Sequence, residues 1–305
     1  MSPTYAPILL FTYNRPAHTR RLVESLLQNP ESARSRLFIY SDAPRDEAAR
    51  PAVDEVRRYL RTLSGFGGIH LVERTENWGL ARSVINGVTS LLQDFDRVIV
   101  LEDDLVLSPV FLRFMNEALE TYQDEPRVGH IQACDFTQDP SLPETFLIKW
   151  TGSWGWATWR RAWKLFNPDG RALLNELEQR HLTREFDFGG AYRYTRMLRR
   201  QVKGLNDSWA IRWNASLFLA DVLSLNVGRS LVQNGGFDGS GTNCGGGGLY
   251  ASTLRADPLP VRRISPIEED LAARRALARY YRRHFGFWAK AVRRIKRTLR
   301  GDFGA

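Results

Sequence analysis

Short apolar runs alternate with longer amphipathic stretches over the first 130 or so residues. Pro7–Thr12 is apolar enough for a buried strand, and from Pro16 onward Leu22, Val23, Leu26 and Leu27 share one stripe of a helix. Leu37–Ser41 predicts a second strand, ending at Asp42. Residues 46–63 predict a charged helix with Val53, Val56, Leu60 and Leu63 turned inward. Ile69–Val72 is a third short strand. After the turn Asn77-Trp78-Gly79, one helical face carries Leu80, Val84, Val88 and Leu91. Val98–Leu101 is an unbroken apolar run, as a strand covered on both faces requires. Ser108-Pro109 reads as a cap and first-turn proline for a helix over 109–123, with Leu112, Met115, Leu119 and Tyr122 in the core. Val128–Ala133 is the next strand. Alternation this regular predicts an α/β fold, with a mostly parallel sheet flanked by helices on both faces.

Ligands of such sheets lie beyond the carboxyl ends of the strands. Thr12–Arg15, Asp42 and the triplet Glu102-Asp103-Asp104 all fall there. Three successive acids at the end of a buried strand repel one another and are costly to desolvate. Two readings follow. One is a solvated acidic turn. The other is a site for a hard divalent cation, Mn2+ or Mg2+, held by one or two carboxylates and by substrate phosphates. The convergence of three strand ends favours the cation.

The 305 residues have room for one large α/β domain or two smaller ones. No apolar run approaches a membrane span, and the N-terminus lacks a signal pattern, so the expectation is a soluble, cytoplasmic enzyme. Cys134 and Cys244 imply no disulfide framework, and the five histidines make no zinc spacing. The formal charge of +9 misleads: residues 271–300 hold eleven Lys/Arg and no acid, which leaves 32 basic and 34 acidic groups elsewhere. The body is near neutral and the basicity belongs to the tail. No nucleic-acid module is recognisable, so nucleic-acid binding through that tail is a remote alternative.

The segments APILLFTYNRP, NWGLARSVINGV and VIVLEDDLVLSP, together with Asp42, resemble the GT-A-fold glycosyltransferases. The likeness is greatest to the N-acetylglucosaminyltransferase that begins complex N-glycan branching and to related bacterial sugar transferases. It spans roughly residues 5–245. The resemblance implies metal-dependent, inverting transfer of a hexosyl or N-acetylhexosaminyl group from a nucleotide sugar, UDP-linked above all, to a glycan or lipid-linked saccharide. It implies Asp104 as direct metal ligand and Glu102 and Asp103 as contacts to the sugar and ribose. Thr12, Asn14, Arg15 and Asp42 would lie against the nucleotide, with Arg82 as a further basic donor contact. The alternative is a metal-dependent sugar nucleotidyltransferase or hydrolase using the same acids. The Gly-rich loop of sugar nucleotidyltransferases and the P-loop are both missing from the sequence.

Thr151–Trp163 places four tryptophans within ten residues. Trp159 and Trp163 read as core residues on a helix. Trp154, Gly155 and Trp156 read either as core or as an acceptor platform stacked on sugar faces, and the family's Gly-Trp element beside the donor sugar favours the platform. Residues 187–202 predict a helix. Asp207, in Asn206-Asp207-Ser208-Trp209, is either a helix cap or, by the family's motif order, the catalytic base; Glu185, Asp187 and Asp238 are weaker candidates. Arg212-Trp213 matches the end of the Q-x-x-R-W motif of processive synthases, but the Gln is missing. The glycine-rich stretch 234–248 is either a flexible connection or a lid over the diphosphate, with Ser240 and Thr242 as phosphate contacts. Asn243 stands where a histidine could have contributed an imidazole.

These readings divide the chain into a nucleotide-sugar-binding part (1–135), an acceptor-binding and catalytic part (136–260) and a basic amphipathic tail (261–305). In the tail, Leu277, Tyr281, His284, Trp288, Val292, Ile295 and Leu299 recur at helical spacing, with Gly286 as a divide. The tail either lies in an anionic membrane surface on the inner face of the membrane or packs on the protein or a second subunit.

Overall fold

The computed structural model describes residues 5–236 and 253–285. In order come β1 (Ile8–Thr12), α1 (Pro16–Leu27), β2 (Arg36–Ser41), α2 (Arg50–Leu60), β3 (Gly68–Glu73), α3 (Gly79–Asp94) and β4 (Arg97–Glu102). Then follow β5 (Leu105–Leu107), α4 (Phe111–Thr121), β6 (Val128–Gln132), β7 (Thr145–Ile148), β8 (Trp156–Trp159) and α5 (Arg160–Trp163). The remainder is α6 (Gly170–Gln179), α7 (Thr183–Phe186), α8 (Tyr194–Val202), α9 (Trp209–Leu219), β9 (Leu223–Val227), β10 (Val232–Asn234) and α10 (Leu271–Phe285).

Eight strands form one sheet in the order β3-β2-β1-β4-β8-β6-β9-β7. β3, β2, β1 and β4 are mutually parallel. β8 inserts antiparallel between β4 and β6, β9 runs parallel to β6, and β7 is an antiparallel edge. The fold is thus α/β, with a large, mostly parallel sheet flanked by helices. Successive side chains of β1 point to opposite faces. Ile8 and Leu10 meet Leu22, Val23 and Leu26 of α1, while Leu9 and Phe11 share the other core with Val84 and Val88 of α3 and Trp213 of α9. All five residues of β1 are buried, and each large apolar side chain there contributes roughly 1.5–3 kcal/mol. The strand is a fixed anchor for the turn that follows it, Tyr13–Arg15.

Several elements differ from the pattern-based reading. Leu27 and Leu80 sit at the margins of their stripes and are exposed. α2 starts at Arg50, because Asp46 caps a preceding turn through the Ala49 N–H. α4 starts at Phe111: the Ser108 hydroxyl accepts from Val110 N and donates to the Arg255 carbonyl. Of the predicted helix over 187–202 only α8 forms. Phe188, Gly189 and Gly190 all take positive φ and break the run, and Asp187 accepts hydrogen bonds from Thr195 instead. Trp159 is core as expected, but at the end of strand β8 rather than on a helix.

Over α10 the apolar stripe follows the second of the two tail readings, packing on the protein. Ala273, Leu277 and Tyr281 are buried against Phe136, Trp150 and Phe188, so the apolar stripe of this helix is already occupied by the body of the protein. Trp288, Val292, Ile295 and Leu299 lie outside the described residues. Among the described residues no helix is long and apolar enough to cross a membrane.

Candidate active site

β4 and β1 deliver their carboxyl ends side by side, with Glu102 paired to Phe11. The Tyr13 N–H donates to Asp103 Oδ2 (3.1 Å), and Arg15 Nη1 donates to Asp104 Oδ2 (3.1 Å). The other carboxylate oxygen, Asp104 Oδ1, is buried and has no hydrogen-bond partner among the described residues. Burial, followed by the charges of Asp104 and Asp103, pushes the Glu102 carboxyl well above its ordinary range. Burial and Asp104 push Asp103 up to about 7. Three adjacent carboxyls share a single arginine here, an excess of acid that a cation would offset.

A second strand pair completes this corner. β10 runs antiparallel to β5, with Asn234 opposite Leu105, and the Gly235 N–H donates to the Asp104 carbonyl (2.7 Å). A Cβ on Gly236 would collide with Asp104 Oδ2 and lie 3.1 Å from Asn234 Oδ1. Asp104 Oδ2 and Asn234 Oδ1 therefore both border the space a Gly236 side chain would fill, each already accepting one hydrogen bond, from Arg15 Nη1 and from the Gly236 N–H (2.7 Å), and each with a lone pair left. They suit a hard divalent cation, whose ligands are oxygens. Among the described residues no three His, Cys, Asp or Glu side chains gather as a ready-made metal cage. The remaining ligands would have to come from a bound diphosphate or from water, the usual habit of Mg2+. His18, one turn beyond Arg15 on α1, meets the Gly235 carbonyl through Nε2 (3.3 Å) and closes the same corner.

Asp42 has a structural occupation besides the nucleotide contact expected of it. Its carboxylate accepts from the N–H groups of Ala43, Trp78 and Gly79 at 2.8–3.2 Å and pins the start of α3. An anion at a helix N-terminus is stabilised there. Thr12 is buried, its hydroxyl without a partner among the described residues, and Asn14 is half-buried beside Arg15. Beyond Asp42, the guanidinium groups of Arg74 and Arg82 lie over the Trp78 ring, 3.4 and 4.0 Å from its centroid. Burial draws the Arg74 pKa down, and neighbouring Arg82 adds to that, while Asp42 opposes it.

A cleft of about 420 Å³ opens between α3 and the start of α9, lined among others by Trp78, Arg82, Asn86, Asp207 and Arg212. Ser208, not Asp207, caps α9, its hydroxyl accepting from Ile211 N (3.2 Å). Asp207 is three-quarters exposed, and among the described residues its side chain accepts one hydrogen bond, at Oδ1 from Arg212 Nη2 (3.0 Å). Arg212 is itself clamped by the carbonyls of Ser208 and Pro168. The weaker candidates have other occupations: Asp187 serves Thr195, and Glu185 faces Lys149 at 3.9 Å. Asp238, Ser240, Thr242 and Asn243 lie outside the described residues.

A Glycosyl transferase family 2 profile matches residues 8–176, from β1 into α6. The chain belongs to glycosyl transferase family 2. It is therefore a glycosyltransferase with a GT-A fold, and its reaction is glycosyl transfer from a nucleotide sugar. No curated protein matches the sequence. Among solved structures, the glycosyltransferase is similar to the mannosyltransferase PcManGT of Pyrobaculum calidifontis, solved with GDP-Man and Mn2+. That pair shares 15% identity over 72% of this chain and 76% of the other, with a TM-score of 0.38. It is also similar to S. aureus TarS 1-349 (14% identity, 57% and 49% covered, TM-score 0.34), of which it spans about half the length. Mouse xyloside xylosyltransferase 1 in its apo form is a third (12%, 72% and 83%, 0.36).

The acceptor platform is corrected by the transferase's own packing. Trp156 is fully buried, stacked on Trp209 (ring centroids 5.1 Å apart) and His130 (5.3 Å), and no sugar can reach its face. Gly155 is buried at φ +63°, where a Cβ would press on Val232 and Phe111. Only Trp154 keeps partial exposure, edge-on to Phe136. Asn234, Gly236, His18 and Arg212 were not singled out as site residues by sequence reasoning. Gly236 was visible only as part of a glycine-rich stretch, and Arg212 only as part of an incomplete motif.

Proposed function

We propose that this protein is a metal-dependent, inverting glycosyltransferase that moves a hexosyl or N-acetylhexosaminyl group from a UDP-linked donor to a hydroxyl of a glycan or lipid-linked saccharide. The observation that carries the reading is Asp104 Oδ1, buried and without a partner among the described residues, beside two carboxyls whose proton affinity is raised. In this reading Asp104 holds Mn2+ or Mg2+, with Asn234 as a neighbouring oxygen donor. The ion, when bound, supplies Lewis-acid stabilisation of the leaving diphosphate, worth several kcal/mol at the transition state. Arg15 turns from Asp104 to the diphosphate, a charge-assisted contact. Glu102 and Asp103 accept hydrogen bonds from sugar and ribose hydroxyls. Thr12, Asn14 and Arg82 complete the donor side, and Asp42 acts at one remove by fixing the start of α3.

Asp207 is assigned as the base. Arg212 orients its carboxylate through Oδ1 and leaves Oδ2 to take the acceptor proton. The acceptor oxygen attacks the anomeric carbon from the face opposite the diphosphate, which inverts the configuration. A general base of this kind contributes roughly 10²–10⁴-fold in rate. The acceptor enters through the cleft between α3 and α9, since the core claims Trp156. Residues 1–135 then hold the donor, and 136–260 supply the base. The base assignment follows the motif order of the resemblance named above, and the donor sugar is a hexose or an N-acetylhexosamine.

Calorimetric titration of UDP-, GDP- and dTDP-sugars with Mn2+, against the wild type and Asp104→Ala, tests this. The expected result is metal-dependent binding of a UDP-sugar that the variant loses while keeping its thermal transition. Near-normal turnover of the variant, or of the wild type with chelator, overturns the metal role. Donor turnover indifferent to any acceptor favours the hydrolase.

A further inference from the structure

We propose that the outer face of α10 docks the protein electrostatically on an anionic lipid bilayer. The inner face of this helix is committed: Ala273, Ala276, Leu277 and Tyr281 are buried. No apolar stripe is left on it for insertion into lipid. The outer face carries Arg275, Arg279, Arg282 and Arg283, all exposed and spaced to lie on one side of the helix. Arg279 is paired with Asp139 (3.0 Å), and the half-buried Arg274 with Glu269 (2.8 Å). Among the described residues no carboxylate lies within ion-pair distance of Arg275, Arg282 or Arg283. The turn before α8 adds to this surface. A Cβ on Gly189 would lie 3.7 Å from Arg282 Nη2, and Tyr192 packs edge-on against Phe285 (5.2 Å), with the exposed Arg193 next in sequence.

A bilayer of anionic lipid is the partner this charge pattern fits best. It offers a plane of phosphates to arginines on one side of a helix, and it asks for no base-reading element. The sequence after α10 adds six more Lys/Arg between 290 and 300 with no acid. Position supports the same partner. Tyr280 of α10 meets Phe136 at 5.2 Å, and Phe136 in turn meets Trp154. Docking by this face would hold the acceptor-side loops close to the lipid headgroups, where a lipid-linked acceptor presents its sugar. The binding itself is independent of the transfer reading and is measured without donor or acceptor.

The test is flotation of the full-length protein with vesicles of phosphatidylcholine alone and of phosphatidylcholine mixed with phosphatidylglycerol, at low and high salt. The variant is R275Q/R282Q/R283Q, three exposed changes expected to leave the thermal transition in place. Each arginine near an anionic leaflet strengthens binding by roughly five-fold, so the triple change should weaken it roughly 100-fold. Wild type should float with the anionic vesicles only, and high salt should release it. The proposal fails if wild type floats with neither vesicle, or with both equally. It also fails if the variant binds as wild type does, which would transfer the effect to the later tail. Salt-sensitive binding of a DNA duplex without vesicle binding would replace the bilayer with nucleic acid.

Discussion

Replacing Asp103 with asparagine should stabilise the metal-free protein at neutral pH. The Asp103 carboxyl is buried between Glu102 and Asp104, and burial and the Asp104 charge push its pKa up to about 7. In the unfolded chain it returns to about 3.9. Between these values the folded protein keeps a proton that the unfolded chain releases, so stability falls as pH rises from about 4 to about 7 and then levels off. Roughly three pH units at 1.36 kcal/mol each give about 4 kcal/mol, and solvent screening at the strand end reduces this to on the order of 2–4 kcal/mol. Asparagine keeps an oxygen for the Tyr13 N–H and cannot ionise.

Urea unfolding of wild type and Asp103→Asn at pH 5 and pH 8 measures the difference. At pH 8 the variant should be more stable by about 2–4 kcal/mol, and at pH 5 by only about 1 kcal/mol. Mn2+ with UDP should narrow the gap at pH 8, because a bound cation compensates the charge that the asparagine removes. A gap that is independent of pH, or one that widens as pH falls, would refute the argument that Asp103 is held protonated by burial.

Asp207→Asn should lower kcat by at least about 100-fold with donor affinity unchanged, and should leave the thermal transition in place because Ser208 retains the cap. Steady-state kinetics and a melting curve check both halves. Trp156→Ala should cost about 3–5 kcal/mol in urea unfolding, as a core deletion does, and a stable variant with impaired acceptor binding would restore the platform. Gly236→Ala should weaken Mn2+ binding in the presence of UDP, followed by the loss of the free-ion EPR signal, since its methyl group occupies space beside Asp104 Oδ2.

The first seven elements were legible because burial on one face gives a regular period and burial on both gives an unbroken apolar run. β1 and β4 are central strands with no exposed apolar residue, so they appear as unbroken runs, and α1 and α3 show stripes because one face of each meets water. The acid triplet was legible for the complementary reason: charge at the end of such a run contradicts burial. Beyond Gln132 the periods fail. β7 and β10 are four and three residues long, too short for alternation to register. Asp42 was legible as a strand-end acid but its structural occupation was not, because nothing local says that the N–H groups of Trp78 and Gly79, thirty-six and thirty-seven residues on, will donate to its oxygens.

Trp156 and Asn234 fail in opposite directions, for one physical reason. Gly155-Trp156 looks like a ligand loop because glycine beside an aromatic usually marks a close approach of backbone to something. Here that neighbour is the protein itself: β8 slides antiparallel between β4 and β6, with Trp156 opposite Val100 and Gln132, and the close approach is to Val232 and Phe111. Asn234 looks like ordinary turn chemistry, yet three residues of β10 pair with three of β5 and set its amide beside Asp104, 130 positions earlier in the sequence. Side-chain chemistry read along a chain gives the kinds of group available to a site. Which of them face the site is decided by pairings between distant short strands, and these contribute almost nothing to local periodicity. The residue that reports the pairing is Gly236: only a position without a side chain leaves open the space that the Asp104 carboxylate and the Asn234 amide both border.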